Sequence, residues 1–246
     1  MFFKLNKLTN IIKEPLFIRA LFKGAAAGVE HRSVLIHLDD CNHVVDVGAN
    51  RGQFALIARS CFSNARIDSF EPLIEPARIF EKVFADDSLT VLHQYAVGPD
   101  ESEAIIHVSN RDDSSSLLPI GEGQVKLFPE TAAKETRTVQ VVPLKQVLAE
   151  SEILFPALLK IDVQGYELST LYGCSSLLHK FRYVYVECSF VELYMGQSLA
   201  DEVIKFLFEH SFKLDGVYNI HYDKSGRAIQ ADLLFEVLDE NTHLRN

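Results

Sequence analysis

Four acidic residues stand at the ends of short apolar runs that have the pattern of β-strands: Asp46, Glu71, Asp162 and Glu187. Strands that alternate with helices form a mostly parallel sheet, and their carboxyl ends meet at one edge. Carboxylates that crowd together repel one another unless a cation or hydrogen-bond donors compensate. One such carboxylate can be a simple helix cap, but four at one edge predict a site for a ligand that carries hydroxyls or positive charge.

The first of these acids lies in the segment Val44-Val45-Asp46-Val47-Gly48-Ala49-Asn50-Arg51-Gly52-Gln53-Phe54. Its β-branched start, its two glycines and its helix-forming end indicate a strand, a tight turn and a helix. Glycine lets a ligand lie against the backbone, next to the free N–H groups of the helix. Glu71 lies 25 residues beyond Asp46, where an acidic residue accepts hydrogen bonds from ribose hydroxyls. Both features predict a nucleotide-like cofactor, although a lone glycine pair also occurs in ordinary strand–helix turns.

The turn differs from the fingerprint of dinucleotide-binding proteins. That fingerprint, G-x-G-x-x-G/A, lets the backbone close on a pyrophosphate, and here Asn50 and Gln53 take its second and third positions. A pyrophosphate is therefore a poor fit, which disfavours an NAD(P)-dependent oxidoreductase. S-adenosylmethionine has an adenosine, a carboxylate and a sulfonium cation but no phosphate, so it requires less of the glycines and tolerates acidic neighbours.

The pattern Asp46-x-Gly48-Ala49-Asn50-x-Gly52, followed by Phe70-Glu71-Pro72, resembles the FkbM family of S-adenosylmethionine-dependent methyltransferases. Lys160-Ile161-Asp162-Val163-Gln164-Gly165-Tyr166-Glu167 is similar to the family's Lys-Ile-Asp-Val-Glu-Gly-Tyr-Glu element. The resemblance covers residues 44–238 and implies methyl transfer to a hydroxyl on a sugar, a glycolipid or a related natural product. The chain departs from the family at Gln164, where Glu is usual, and at Lys145-Gln146, where two aspartates are usual. These departures leave open a non-catalytic protein that binds S-adenosylmethionine.

The resemblance also implies the residues of the site. Those expected at the cofactor are Asp46, Gly48, Ala49, Asn50, Gly52, Glu71, Pro72, Tyr95, Ala96, Ser115, Ser116 and Asp162. For Tyr95, Ala96 and the serine-rich run, an ordinary or mobile loop is the competing interpretation. Asp162 is expected nearest the reacting centre, as general base or as a group that orients the acceptor, with Glu187 as a second candidate. His221 is a further candidate base, although a solvated or structural histidine is commoner.

Composition limits the partners and the compartment. The chain has 246 residues, 48% of them hydrophobic, and a formal net charge of −10. Because binding to a nucleic-acid backbone needs a basic surface, a small molecule or glycan is the expected acceptor and nucleic acid is not. The cysteines at positions 41, 61, 174 and 188 lack C-x-x-C spacing, which predicts buried free thiols in a reducing, cytoplasmic compartment. No cluster has metal-ligand spacing, so no metal is expected.

The first 30 residues differ in charge from the rest of the chain. They hold five basic and two acidic residues, a net charge of +3, which leaves −13 for the remainder. Apolar residues at helical spacing indicate helices here, and residues 1–35 are interpreted as an N-terminal helical extension. A basic amphipathic helix can lie on an anionic membrane surface, but packing against its own domain or a second subunit is commoner. No stretch has the length of an apolar membrane span, and the oligomeric state stays open.

Residues 36–246 are predicted to form one α/β domain that binds S-adenosylmethionine. The expected architecture is a doubly wound, mostly parallel seven-stranded sheet, the Rossmann-like fold of class I methyltransferases. Two apolar runs, 212–217 and 231–238, flank the turn residues 223–226, which predicts a C-terminal antiparallel hairpin. The stretch 119–136 contains Pro, Gly and charged residues and is expected to be a lid or a substrate-facing insertion.

A thermal-shift titration separates the methyltransferase from the oxidoreductase. Ligand at about 100 times its dissociation constant stabilises the folded state by about 2.7 kcal/mol. We expect S-adenosylmethionine to raise the melting temperature and NADH to leave it unchanged. Stabilisation by NADH alone would reverse this choice of cofactor.

Overall fold

The computed structural model describes residues 14–38 and 40–238. Its α-helices are α1 (Pro15–Lys23), α2 (Arg32–Leu35), α3 (Gln53–Cys61), α4 (Ile74–Val83), α5 (Glu122–Leu127), α6 (Glu167–Cys174) and α7 (Ala200–Glu209). Its strands are β1 (His43–Val47), β2 (Arg66–Phe70), β3 (Thr90–His93), β4 (Ala96–Val97), β5 (Ser102–Ser109), β6 (Ala133–Val142), β7 (Ala157–Ile161), β8 (Tyr183–Ser189), β9 (Phe212–Tyr222) and β10 (Ala228–Val237). The helical spacing predicted for residues 2–12 lies outside the described residues.

The main sheet has seven strands in the order β3-β2-β1-β7-β8-β10-β9. The first five run parallel, and β10 runs antiparallel to β8 and to β9. The register places Asp46 beside Lys160, and Val47 beside both Phe70 and Ile161. The strands that carry the predicted acids therefore end at the same edge, as the sequence predicted, and the fold is that of class I methyltransferases.

Each parallel strand is apolar on both faces because helices cover both faces of the sheet. Val45 and Leu159 belong to one buried cluster, which α7 completes with Phe206 and Leu207. The alternate residues Val44 and Leu158 belong to a second buried cluster on the opposite face, under α3 and α4. Cys174 and Cys188 are buried free thiols.

Strands β5 and β6 belong to a separate sheet. They pair antiparallel along most of their length, and the two-residue β4 joins β6 to complete a three-stranded sheet. The residue pattern at 103–109 and 138–142 predicts strands but not their separation from the main sheet, because alternation shows that a segment is a strand and not which strand it pairs with. The predicted insertion at 119–136 contains α5, a 3-10 turn (Pro129–Thr131) and the start of β6.

The C-terminal hairpin is present and longer than its apolar runs indicated. β9 and β10 extend to Tyr222 and Ala228, and the intervening turn contains Gly226 at a φ of 86°. Asp223 fixes this turn by accepting hydrogen bonds from the backbone N–H groups of Ser225 and Arg227. In residues 14–38 and 40–238, no helix combines the length and the hydropathy of a membrane span.

The described part of the N-terminal segment packs on the sheet domain. Phe17 of α1 is fully buried, and its cluster also holds Val34 of α2 and Phe54 of α3. Pro15 begins α1, and Gly24, at a φ of 100°, ends it. Residues 14–35 therefore share a core with the sheet.

The packing of α1 predicts its contribution to stability. Phe17→Ala leaves a cavity in this core, so we expect it to lower the free energy of unfolding by about 3–5 kcal/mol in urea titrations. Phe22→Ala is the matched control, because Phe22 lies on the same helix and is 90% exposed. If Phe17→Ala lowered the free energy of unfolding no more than the control does, Phe17 would not be packed in this core.

Candidate functional site

A cavity with about 850 Å³ of open space lies at the carboxyl ends of the parallel strands. Ten residues predicted at the cofactor line it: Gly48, Ala49, Asn50, Glu71, Pro72, Tyr95, Ala96, Ser115, Ser116 and Asp162. The other predicted residues, Asp46, Gly52 and Glu187, do not line the cavity but contact residues of its wall or of the adjoining core. The sequence motifs and the family resemblance thus located ten of the 26 residues that line the cavity.

The two glycines of the first turn have different physical roles. Gly48 has a φ of 82°, and a Cβ at this position would lie 1.8 Å from the carbonyl oxygen of Asp162. Only glycine lets the end of β1 approach the end of β7 this closely. Gly52 has a φ of 88° just before α3, and its Cβ would collide with Phe84 in the core. Gly48 therefore shapes the cavity, whereas Gly52 shapes the helix that follows.

Glu71 is buried at the end of β2 with its carboxylate at the cavity wall. Its two oxygens accept hydrogen bonds from the backbone N–H groups of Asn50, at 2.9 Å, and Leu73, at 2.8 Å. Burial raises the pKa of Glu71 to about 7 and outweighs the opposing effect of these hydrogen bonds. Each oxygen keeps a lone pair with which it can accept a hydrogen bond from a hydroxyl group.

Lys160 is the buried cation of the site. Its Nζ lies 3.2 Å from Oδ1 of Asp46 and 3.8 Å from Oδ2 of Asp162, and it donates to the carbonyl oxygen of Gly48. Burial lowers the pKa of Lys160, but the charges of Asp46 and Asp162 outweigh it, so the pKa is raised above its ordinary value. The ammonium group therefore stays charged and offsets the repulsion between these carboxylates.

Asp46 is fully buried, and neither of its oxygens receives a hydrogen bond of good geometry from another described residue. Burial raises its pKa, against the charge of Lys160, which lowers it. A buried carboxylate is costly unless a donor or cation approaches it, and Lys160 supplies that cation. Asp46 therefore adds negative charge behind the wall without lining the cavity itself.

Gln164 connects the other two carboxylates. Its Nε2 donates to Oδ1 of Asp162, at 2.7 Å, and to Oε2 of Glu187, at 2.9 Å, and its Oε1 accepts from the hydroxyl of Tyr194 at 2.8 Å. Loss of solvation and the charges of Asp162 and Asp232 raise the pKa of Glu187 well above its ordinary value. Its surroundings thus favour the protonated form, and Glu187 does not line the cavity.

The serine-rich loop is fixed in place by hydrogen bonds. The hydroxyl of Ser116 donates to the carbonyl oxygen of Gln164 at 2.6 Å. The carbonyl oxygen of Ser114 lies 3.0 Å from the hydroxyl oxygen of Tyr194 and shares the single proton of that hydroxyl with Gln164. Ser115 accepts a hydrogen bond from the backbone N–H of Ser109. These contacts favour an ordered wall over the mobile loop that composition indicated.

The remaining predicted residues are found in different surroundings. Tyr95 and Ala96 lie at the start of β4 and line the cavity. His221 lies within β9. It is exposed there and does not line the cavity. Lys145 and Gln146, which replace the family's aspartates, are exposed on a 3-10 turn and do not line the cavity either.

The sequence missed several residues of the site. The lining side chains without a predicted role include Lys160, Phe54, Gln164 and His31, while Tyr194 supports the wall from outside. Lys160 could have been recognised from the sequence, because a lysine within an apolar strand is costly to bury without a partner. His31 gave none, since only the tertiary packing of the N-terminal segment brings it to the cavity.

Comparison with solved structures agrees with this fold. The chain is similar to a putative O-methyltransferase from Klebsiella pneumoniae, with 12% sequence identity, coverage of 92% of this chain and 91% of that chain, and a TM-score of 0.51. It is also similar to a putative tRNA (m1A22) methyltransferase from Streptococcus pneumoniae, with 11% identity, coverage of 86% and 72%, and a TM-score of 0.48. The search of curated protein sequences found no match.

A parallel sheet with this strand order and a glycine turn at its carboxyl edge define a class I methyltransferase. Residues 46–214 match the methyltransferase FkbM domain. The chain belongs to the FkbM family, and its cofactor is S-adenosylmethionine. The residues present fit that cofactor, because Glu71 and Asp162 line the cavity and Glu71 can accept hydrogen bonds from ribose hydroxyls.

We propose that Glu71 binds the ribose, which predicts pH-dependent affinity. Hydroxyl groups donate more strongly to a carboxylate than to a neutral carboxyl group. With a pKa of about 7 in the free protein, the ionised fraction of Glu71 rises as the pH increases from 6 to 8. We therefore expect calorimetry to show S-adenosylhomocysteine binding up to about tenfold more tightly at pH 8 than at pH 6.

Glu71→Gln should weaken this binding and remove most of its pH dependence. Glu81→Gln is the matched control, because Glu81 is exposed on α4, and it should behave as the wild type. The same pH dependence in Glu71→Gln as in the wild type would contradict the role of Glu71.

Proposed function

We propose that the protein is an O-methyltransferase that moves the methyl group of S-adenosylmethionine to a hydroxyl on a sugar, a glycolipid or a related natural product. The observation that carries this proposal is the position of Asp162. Its carboxylate lines the cavity beside the close approach of Gly48, and Lys160 and Gln164 hold it there. This arrangement suits a hydroxyl acceptor, because a fixed carboxylate can accept its hydrogen bond.

Two groups of residues would hold the cofactor. Glu71 would accept hydrogen bonds from the ribose, while the turn at Gly48, Ala49 and Asn50 would lie against the remainder of the molecule. Tyr95 and Ala96 line the cavity and would flank the adenine. When bound, S-adenosylmethionine supplies an electrophilic methyl group on a positively charged sulfur.

The role of Asp162 follows from its partners. The carboxylate of Asp162 is fixed in position, because it lies 3.8 Å from Nζ of Lys160 and accepts a hydrogen bond from Gln164. Such a group is better suited to orienting the acceptor than to removing its proton. Alignment of the reacting atoms can itself supply about 7–11 kcal/mol of the barrier reduction, so an orienting role is sufficient to make Asp162 important for turnover.

The acceptor class rests on charge and on the family. The chain carries a net charge of −10, which opposes binding to a nucleic-acid backbone. We therefore infer a small-molecule or glycan acceptor and activity in the cytoplasm. The departure at Lys145-Gln146 lies on an exposed turn outside the cavity, which removes one reason to consider the protein non-catalytic.

The experiment is a radiolabelled-methyl transfer screen against fractions of cell extract, followed by turnover measurements on the labelled acceptor. We expect Asp162→Asn to lower turnover by about tenfold or more, with little change in cofactor affinity. Asp201→Asn, at an exposed position on α7, is the control and should keep full activity. Cofactor binding without methyl transfer to any fraction would overturn the proposed function, and full activity of Asp162→Asn would remove Asp162 from the reaction.

A further inference from the structure

His31 lies on the cavity wall although it comes from the N-terminal segment. It ends a 3-10 turn, Val29–His31, and its ring packs edge-on against Phe54 at a centroid distance of 5.3 Å. The Phe54 ring in turn lies 5.5 Å from Nζ of Lys160, which is 3.8 Å from Asp162. His31 thus lines the same cavity as Asp162, the carboxylate that would orient the acceptor, and the Phe54 ring and Lys160 lie between them.

A buried polar cluster holds one side of the imidazole ring. Nδ1 of His31 lies 3.0 Å from the hydroxyl oxygen of Tyr185 and 3.4 Å from Oδ2 of Asp232. Tyr185 donates its hydroxyl proton to Asp232 at 2.8 Å, and Asn219 also donates to Asp232, at 2.7 Å. Because Tyr185 has a single proton and gives it to Asp232, its oxygen can only accept from His31.

The charge of Asp232 agrees with this assignment. Burial raises the pKa of Asp232, but hydrogen bonds from His31, Asn219 and Tyr185 outweigh burial, so the pKa is lowered from its ordinary value. Burial and the nearby Asp232 raise the pKa of Tyr185, which therefore keeps its proton. Asp232 is thus an acceptor. Nδ2 of Asn219 lies 3.4 Å from Nδ1 of His31 but donates to the closer Asp232, at 2.7 Å, so the hydrogen-bond network assigns a proton to Nδ1 of His31.

A neutral histidine with its proton on Nδ1 has a lone pair on Nε2. No hydrogen bond from the described parts of the chain reaches Nε2 of His31. A carboxylate that holds one ring nitrogen fixes the tautomer and stabilises the imidazolium that forms when the other nitrogen takes a proton. Nε2 of His31 is therefore prepared to accept a proton.

We propose that His31 is the general base of methyl transfer, with Asp232 and Tyr185 as the residues that position it; this inference rests on the proposed function. As the acceptor oxygen forms its bond to the methyl carbon, the carbon–sulfur bond breaks and its electron pair stays on sulfur. The O–H bond of the acceptor breaks, and its proton passes to Nε2 of His31. The imidazolium that results is stabilised by the negative charge of Asp232.

The test uses His31→Asn in the full chain. The amide N–H of asparagine can replace the donor at Nδ1, so Tyr185 keeps its partner while the base is lost. We expect calorimetry to show unchanged affinity for S-adenosylmethionine. We expect turnover on the labelled acceptor to fall by about 100-fold or more. His37→Asn, at an exposed histidine nearby, is the matched control and should keep full turnover. Should His31→Asn fail to fold, His31→Gln lacks the base in the same way and should show the same loss.

A second readout does not depend on activity. Long-range ¹H–¹⁵N correlation spectra of the uniformly labelled chain report the tautomer of each neutral histidine, and the signals absent from His31→Asn identify His31. We expect the proton on Nδ1, and we expect Asp232→Asn to alter these signals.

The outcomes separate the two proposals. Near wild-type turnover in His31→Asn, or a proton on Nε2 in the wild type, would overturn the role of His31 while leaving the methyltransferase intact. Wild-type protein that binds S-adenosylmethionine but transfers no methyl group would overturn the proposed function, and the role of His31 with it.

Discussion

A single buried lysine makes the acidic edge of this sheet stable. Removing a carboxylate from water is costly unless a partner compensates, and Asp46 and Asp162 end adjacent parallel strands. Lys160 lies on β7 between them and beside the carbonyl oxygen of Gly48. From the sequence, the positive charge that offsets these carboxylates was expected on the ligand. The structure places part of it in the chain itself, so the edge is held together before any ligand arrives, and Asp46 still has unsatisfied acceptors.

The amide of Gln164 continues this compensation toward β8. The family's usual glutamate would add a third carboxyl group between Asp162 and Glu187, whereas the amide donates a hydrogen bond to each. Tyr194 fixes the orientation of that amide, since its hydroxyl donates to Oε1. The departure from the family pattern therefore keeps a connected network and lowers the charge of the wall. Such a change affects the electrostatics of the site more than its shape.

The N-terminal segment forms part of the site as well as part of the core. Phe17 and Val34 pack in the same cluster as Phe54, and His31 lies between these residues along the chain. Arg51, in the glycine turn, donates to the carbonyl oxygen of Gly24 and to Asp112. A mutation that loosens the packing of α1 would therefore displace residues of the cavity wall, because close-packed interiors transmit small displacements.

Local sequence patterns determined the strands, the glycine turn and the acids at the strand ends. They did so because side-chain alternation and the backbone freedom of glycine act over a few residues, and parallel topology then brings those acids to one edge. Only the tertiary structure decided which groups satisfy them. Lys160, Gln164 and Tyr194 meet the acids across strands, and His31 meets Tyr185 over 154 residues of sequence. Such partners depend on packing between distant segments, which no short pattern encodes.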